Sequence, residues 1–122
     1  MRILFTTTGH AGHALPLVPF ARACLRAGHD VHIATKRSRM PALERTGVPL
    51  LAFDDPAAEE LGPLFAARDA ASFEEVNDGM AREMFGRIDT IAALPGVLAA
   101  VEALRPDVIC LLYTSPSPRD RS

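Results

Sequence analysis

An α/β fold, a Rossmann-like parallel sheet with flanking helices, is what this sequence of 122 residues predicts. Three observations carry that expectation. Short apolar, β-branched blocks alternate with stretches of helical periodicity in the order β-α-β-α-β. The connections are short, which favours parallel strands joined by right-handed crossovers. A loop with two glycines follows the first block and opens a helix. That loop falls at the carboxyl end of a strand, where ligands bind in open α/β sheets.

The first strand is Ile3-Leu4-Phe5 running into Thr6-Thr7-Thr8, a block too short for a helix and apolar enough to be buried on both faces. Gly9-His10-Ala11-Gly12-His13 is the loop. A helix is expected from about Pro16 to Ala27, with Leu15, Val18, Ala21 and Leu25 at helical spacing. Pro16 and Pro19 suit its first turn, where backbone donors have no partner anyway. Gly28 closes it. A second strand covers His29 to Thr35, with Val31, Ile33 and Ala34 as its buried part. The basic patch Lys36, Arg37 and Arg39 leads into a short helix from Pro41 to Thr46, stopped by Gly47. Val48 to Phe53 is the third strand, with Pro49 near its start, where proline is tolerated.

Beyond Asp54 the pattern loosens. Leu61, Leu64 and Phe65 indicate a short helix, and a longer one spans roughly Phe73 to Ala93. Phe73, Val76, Met80, Met84, Ile88 and Ile91 share one face of it at steps of three and four. Leu94-Pro95-Gly96 is expected to break that helix, and Val97, Leu98, Val101 and Leu104 form one more. Arg105-Pro106-Asp107 turns into a fourth strand that begins at Val108-Ile109.

The composition is that of a globular protein, 48% hydrophobic and 23% charged, with a net charge of −2 that argues for neither nucleic acid nor an anionic membrane. No uninterrupted apolar run reaches the length of a membrane span, and the start has no signal-peptide layout. Two cysteines fit neither a disulfide framework nor a zinc spacing, so a cytoplasmic setting is expected. The tail from Cys110 to Asp120 resembles, codon for codon, a translated transposase sequencing adapter. Residues 1–109 are therefore read as an incomplete domain and 110–122 as a non-native tail, with the gene continuing past Ile109.

The loop admits several chemistries. Dinucleotide binding needs a G-x-G-x-x-G pattern, and the second glycine is replaced here by Ala11. A metal site from His10 and His13 lacks an acidic or cysteine ligand nearby, so no metal is expected. Both rings can simply fill a polar loop or cap the helix. The favoured reading places His13 at the mouth of a helix whose first N–H groups have no partner. That setting favours an anion, and a neutral imidazole can take a hydroxyl proton near neutrality.

Arg2-Ile-Leu-Phe-Thr, Gly12-His13-Ala14-Leu15-Pro16-Leu17 and Ala27-Gly28-His29-Asp30-Val31 with Ile33-Ala34-Thr35 together resemble the amino-terminal domain of a GT-B glycosyltransferase. The likeness is to the bacterial macrolide and antibiotic type, related to the UDP-glucuronosyltransferases. It covers residues 1–109, and Arg105-Pro106-Asp107-Val108-Ile109 matches the family's fourth strand. It implies a truncated half of a GT-B fold, and an inverting transfer from a nucleotide-diphosphate sugar to a hydroxyl of a small natural product. That sugar is a co-substrate; no bound cofactor or metal is implied. By the same likeness His13 is the general base, Gly9, His10 and Gly12 belong to the donor and acceptor loop, and Phe73, Met80 and Met84 lie in acceptor-pocket walls.

Two departures accompany the resemblance. The aspartate that pairs with the family's histidine would lie beyond the fourth strand. Asp107 cannot replace it, being at the strand's start, about 17 Å from the carboxyl end for a five-residue strand. The donor-binding domain is also outside the sequence, so the chain alone is expected to be inactive. His10 and His29 are otherwise structural, His32 a satisfied core histidine, and Lys36, Arg37 and Arg39 a solvated patch. The competing readings are an NADP-type oxidoreductase domain, which Thr35-Lys36-Arg37 would suit, and a non-catalytic binding module.

Overall fold

The computed structural model describes residues 1–111; the adapter-like tail from residue 112 onward lies outside them. Four parallel strands stand in the order β3-β2-β1-β4, with β1 Arg2–Thr6, β2 Asp30–Lys36, β3 Leu50–Phe53 and β4 Val108–Cys110. In register, Ile3 faces Val31 and Val108, and Phe5 faces Ile33 and Cys110. Backbone pairing thus carries the fourth strand one residue into the segment read as adapter.

Period-two alternation divides the core into two layers. Ile3, Phe5, Val31 and Ile33 pack on one face against Leu17 and Ala21 of α2 (Leu17–Arg26). Leu4, Ala34 and Phe53 pack on the other against Ala100 and Val97 of α6 (Asp89–Leu104). Burial on both faces is why these strands read as near-continuous apolar runs. Leu4 is fully buried, which by area transfer stabilises the fold by about 1.5–3 kcal/mol.

Between Gly9 and α2 the chain makes a helical turn that the sequence did not announce, α1 (Ala11–Ala14), capped by His10. Pro16 then interrupts the ladder because it has no N–H to give, and α2 starts immediately after it. The helical face is also shifted: Leu17 is buried where Leu15 was expected, and Leu15 is exposed. The basic segment folds as a short turn, Arg37–Arg39, into α3 (Met40–Leu43).

The larger differences lie after β3. α4 covers Ala58–Arg68. From Phe73 to Leu104 the helix is continuous over 32 residues, as α5 (Phe73–Gly79), a π-helical segment (Met80–Ile88) and α6. Pro95 does not break it. The carbonyl four residues back, at exposed Ile91, lies on the solvent side, where water can replace the lost bond. Gly96 instead brings the helix onto the sheet: a Cβ there would stand 2.6 Å from Phe53 Cβ and 2.9 Å from Phe53 Cα. This helix has the length and apolar content of a membrane span, a test that core helices also pass. Its inner stripe packs on β3 and β2, the role of a core helix.

Of the expected shared face from Phe73 to Ile91, Val76 and Met80 are half-buried and Met84 and Ile88 buried, while Phe73, at 82%, and Ile91 are exposed. The π segment takes more residues per turn than an α-helix, so it rotates the residues after it out of phase.

Candidate functional site

A cleft of about 430 Å³ opens at the carboxyl end of the sheet. One side is formed by Thr6, Thr7 and Thr8, leaving β1, and by His13 from α1; the Thr8 hydroxyl is buried. The opposite wall is apolar: Phe53 at the end of β3, Phe85 from the π segment, Ala93 and Val97 from α6, and Leu111. The lining as a whole is predominantly apolar, with His13 as its one titratable side chain among the described residues. A second depression, about 560 Å³, lies at the amino edge near Arg2, Glu102 and Arg105, far from the loop histidines.

His13 is exposed, with its ring at the cleft. It stands within α1 rather than ahead of a helix, as the sequence pattern suggests. Its N–H and that of Ala14 both donate to the His10 carbonyl, at 2.9 and 2.8 Å. Those two donors are thus spent, and a four-residue turn has little dipole. Positive charge near the loop comes instead from side chains, Arg39 and Lys36.

Gly9 and Gly12 have different standing. Gly9 is buried at φ 85°, and a Cβ there would run into Arg39 Cβ and stand 2.5 Å from Thr35 Oγ1. Only glycine lets the loop lie on β2 and the following turn. Gly12 sits in α1 with nothing within 4 Å of a Cβ, so no close approach depends on it. The His10 ring meets the Arg39 guanidinium, with Nη2 3.3 Å from Nδ1. Burial first, then the charges of Arg39 and Lys36, lower the pKa of His10 below the ordinary imidazole value.

Lys36 overturns the expectation of a solvated patch. It is buried and ion-paired with Asp89 at the start of α6, Nζ to Oδ1 2.9 Å. Period two explains it: Lys36 follows His32 and Ala34 on the face that α6 covers. Asp89 is a residue that sequence reasoning misses. The available signal is one acid inside Ile88-Asp89-Thr90-Ile91-Ala92-Ala93-Leu94, an otherwise apolar helical run. Asp89 Oδ2 and the hydroxyls of Thr8 and Thr35 are buried without a protein partner. Arg37 remains exposed against Asp54, at 3.4 Å. Asp55 accepts from the Ser38 hydroxyl and, at 3.0 Å, from its N–H.

Of the three acceptor-wall candidates, Phe73, Met80 and Met84 are absent from the cleft lining, and Phe85 occupies that role geometrically. Met84 points into the core, whereas its neighbour Phe85 reaches the cleft. Among the described residues no three His, Cys, Asp or Glu side chains gather into a metal-binding group. His29 Nδ1 lies 2.9 Å from the amino terminus and the half-buried His32 lies 3.5 Å from Asp30 Oδ1. Asp107 is at the amino edge, accepting from Arg2 N–H at 2.8 Å, so it does not serve the cleft.

No family model matches the chain. It is 32% identical over 111 residues to the L-demethylnoviosyl transferase of Streptomyces niveus, covering 89% of this chain and 28% of that protein. Among solved structures, the SsfS6 glycosyltransferase of Streptomyces sp. SF2575 superposes with a TM-score of 0.69 at 25% identity, over 89% of this chain and 32% of that one. The spinosyn rhamnosyltransferase SpnG, solved with spinosyn aglycone, gives 0.65 at 25% identity, over 89% of this chain and 28% of its own. The chain thus spans less than a third of the length of these relatives.

Proposed function

We infer, for a chain that carries the Rossmann-like half of a GT-B glycosyltransferase, that it forms the acceptor side of an inverting sugar transfer. His13 accepts the proton of an acceptor hydroxyl as that oxygen attacks the anomeric carbon of a nucleotide-diphosphate sugar, and the diphosphate leaves with the electrons of the broken bond. The observation that carries this reading is that His13 lines a largely apolar cleft at the strands' carboxyl ends. The exposed ring can reach a hydroxyl held there, and a neutral imidazole has a suitable basicity.

The acceptor class is a small, mainly apolar natural product, supported by the Phe53, Phe85 and Val97 wall and by the aglycone that SpnG holds. The nucleotide sugar is a co-substrate, and the base mechanism assigned to His13 requires no metal. Lys36 is engaged with Asp89, so among the nearby cations Arg39 is better placed to face a diphosphate.

His13→Ala in the full-length enzyme tests the assignment. Transfer to an acceptor alcohol is expected to fall by about 10²–10⁴-fold, the usual contribution of a general base. Unchanged turnover would move the base elsewhere. An NADP-type oxidoreductase has less support: the phosphate cradle that needs a close-approach glycine is occupied by Arg39 packed over Gly9.

A further inference from the structure

Two imidazoles three residues apart share the turn that opens α1, and of the two the cleft lining includes His13. Their surroundings differ. The Arg39 guanidinium reaches His10 Nδ1 at 3.3 Å, and its position does not depend on that bond alone. The Arg39 stem lies directly over Gly9, in the space a Cβ would take, so backbone packing aims the guanidinium at His10. A guanidinium only donates, so Nδ1 must accept, and the ring's proton resides on Nε2.

We propose that Arg39 is a positioning residue: it fixes His10 as the neutral Nε2–H tautomer, leaving His13 as the imidazole of this loop that exchanges a proton with substrate. The inference rests on the base role given to His13. His10 then acts as a hydrogen-bond donor of fixed direction beside the base and does not compete for its proton. The charged and titratable groups around His10 are Arg39 in the turn after β2, Lys36 at the end of β2, His13 on α1 and Asp89 on α6. Three cationic or basic neighbours against one carboxylate oppose a second positive charge there, as does burial of the ring. The arrangement thereby prevents the loop from holding two imidazolium ions, a state that would weaken His13 as a base.

Nitrogen-15 NMR of the full chain across pH 5 to 8, which reads the tautomer and titration of each ring, tests this without any transfer assay. In the wild type, His10 is expected to show an unprotonated Nδ1 and a protonated Nε2 and to titrate below the ordinary imidazole value. In Arg39→Gln, His10 becomes a fast-exchanging mixture of tautomers and its titration midpoint rises toward the ordinary value. Arg39→Lys, which still donates, restores much of the wild-type signature. A wild-type His10 already mixed between tautomers or protonated on Nδ1 overturns the proposal, as does an Arg39→Gln spectrum identical to wild type. The wild-type measurement decides by itself if a variant fails to fold. Should His10 behave as stated while His13→Ala keeps full activity, the base assignment fails and the tautomer assignment stands.

Discussion

His13, His10 and the pair Lys36–Asp89 illustrate how differently single residues are exposed to sequence reasoning. His13 is found because it sits between glycine and proline at a strand-to-helix junction, a local pattern. Lys36 is misread because its partner is 53 residues away, and beside Arg37 and Arg39 it looks like one more surface charge. Removing one member of a buried ion pair strands the other, so Asp89→Ala should cost about 3–5 kcal/mol in urea unfolding. The double change Lys36→Met with Asp89→Leu should recover most of that loss. An Asp89→Ala variant as stable as wild type would mean that the ammonium finds water. Acid sensitivity follows from two directions of shift. His10 has its folded pKa lowered, so below about pH 6.5 the unfolded chain takes up a proton that the folded one resists, and stability falls with pH until the folded value is passed. Asp55, lowered overall by the Ser38 hydrogen bonds despite burial acting in the opposite direction, contributes stability above the unfolded carboxylate range and loses it as pH falls through its folded value. His10→Gln should flatten the first decline and leave the second, as read by unfolding midpoints between pH 7 and 3.

At the scale of elements, strands and helix stops follow from local rules, while the interior of the long helix does not. β1, β2 and β3 lie within two residues of their expected spans because apolar runs bounded by glycine or proline leave few alternatives. Gly28 and Gly47 end their helices with φ of 87° and 78°. Leu94-Pro95-Gly96 misleads for a tertiary reason: proline faces water and glycine faces Phe53, so contact with the sheet overrides the local break signal. A π segment is likewise invisible to a fixed period of 3.6, and Ile91, which that period puts on the shared face, is exposed beyond it. Gly96→Ala puts a methyl against Phe53 backbone and should destabilise the fold by about 1–3 kcal/mol, the range for overpacking. Thermal unfolding of that variant checks it, and an unchanged midpoint would show that α6 can move off β3.

For the molecule as a whole, the parallel order β3-β2-β1-β4 brings the β1 loop, the end of β3 and the helix after it to one edge, and the cleft is the consequence. Fold class and parallel strand direction were legible because alternating elements with short links permit few topologies; the order across the sheet was not read from the sequence. The cleft's far wall was not legible either, since it depends on the phase of the long helix. The similar Streptomyces enzymes are more than three times as long as their matched part, and the proposed function gives this chain the acceptor side alone. The 122-residue chain mixed with nucleotide sugar and acceptor should therefore give no product above background in a mass-spectrometric assay, and steady product formation would refute that division. The most direct trial of the central claim is kcat/KM against pH for full-length enzyme and its His13→Ala variant, because that ratio reports the essential base of the free enzyme. The wild type should lose rate on the acid side, where an imidazole protonates, and the variant's lower rate should lack that limb. An acid limb of the same position and slope in His13→Ala would contradict the assignment of the base to His13.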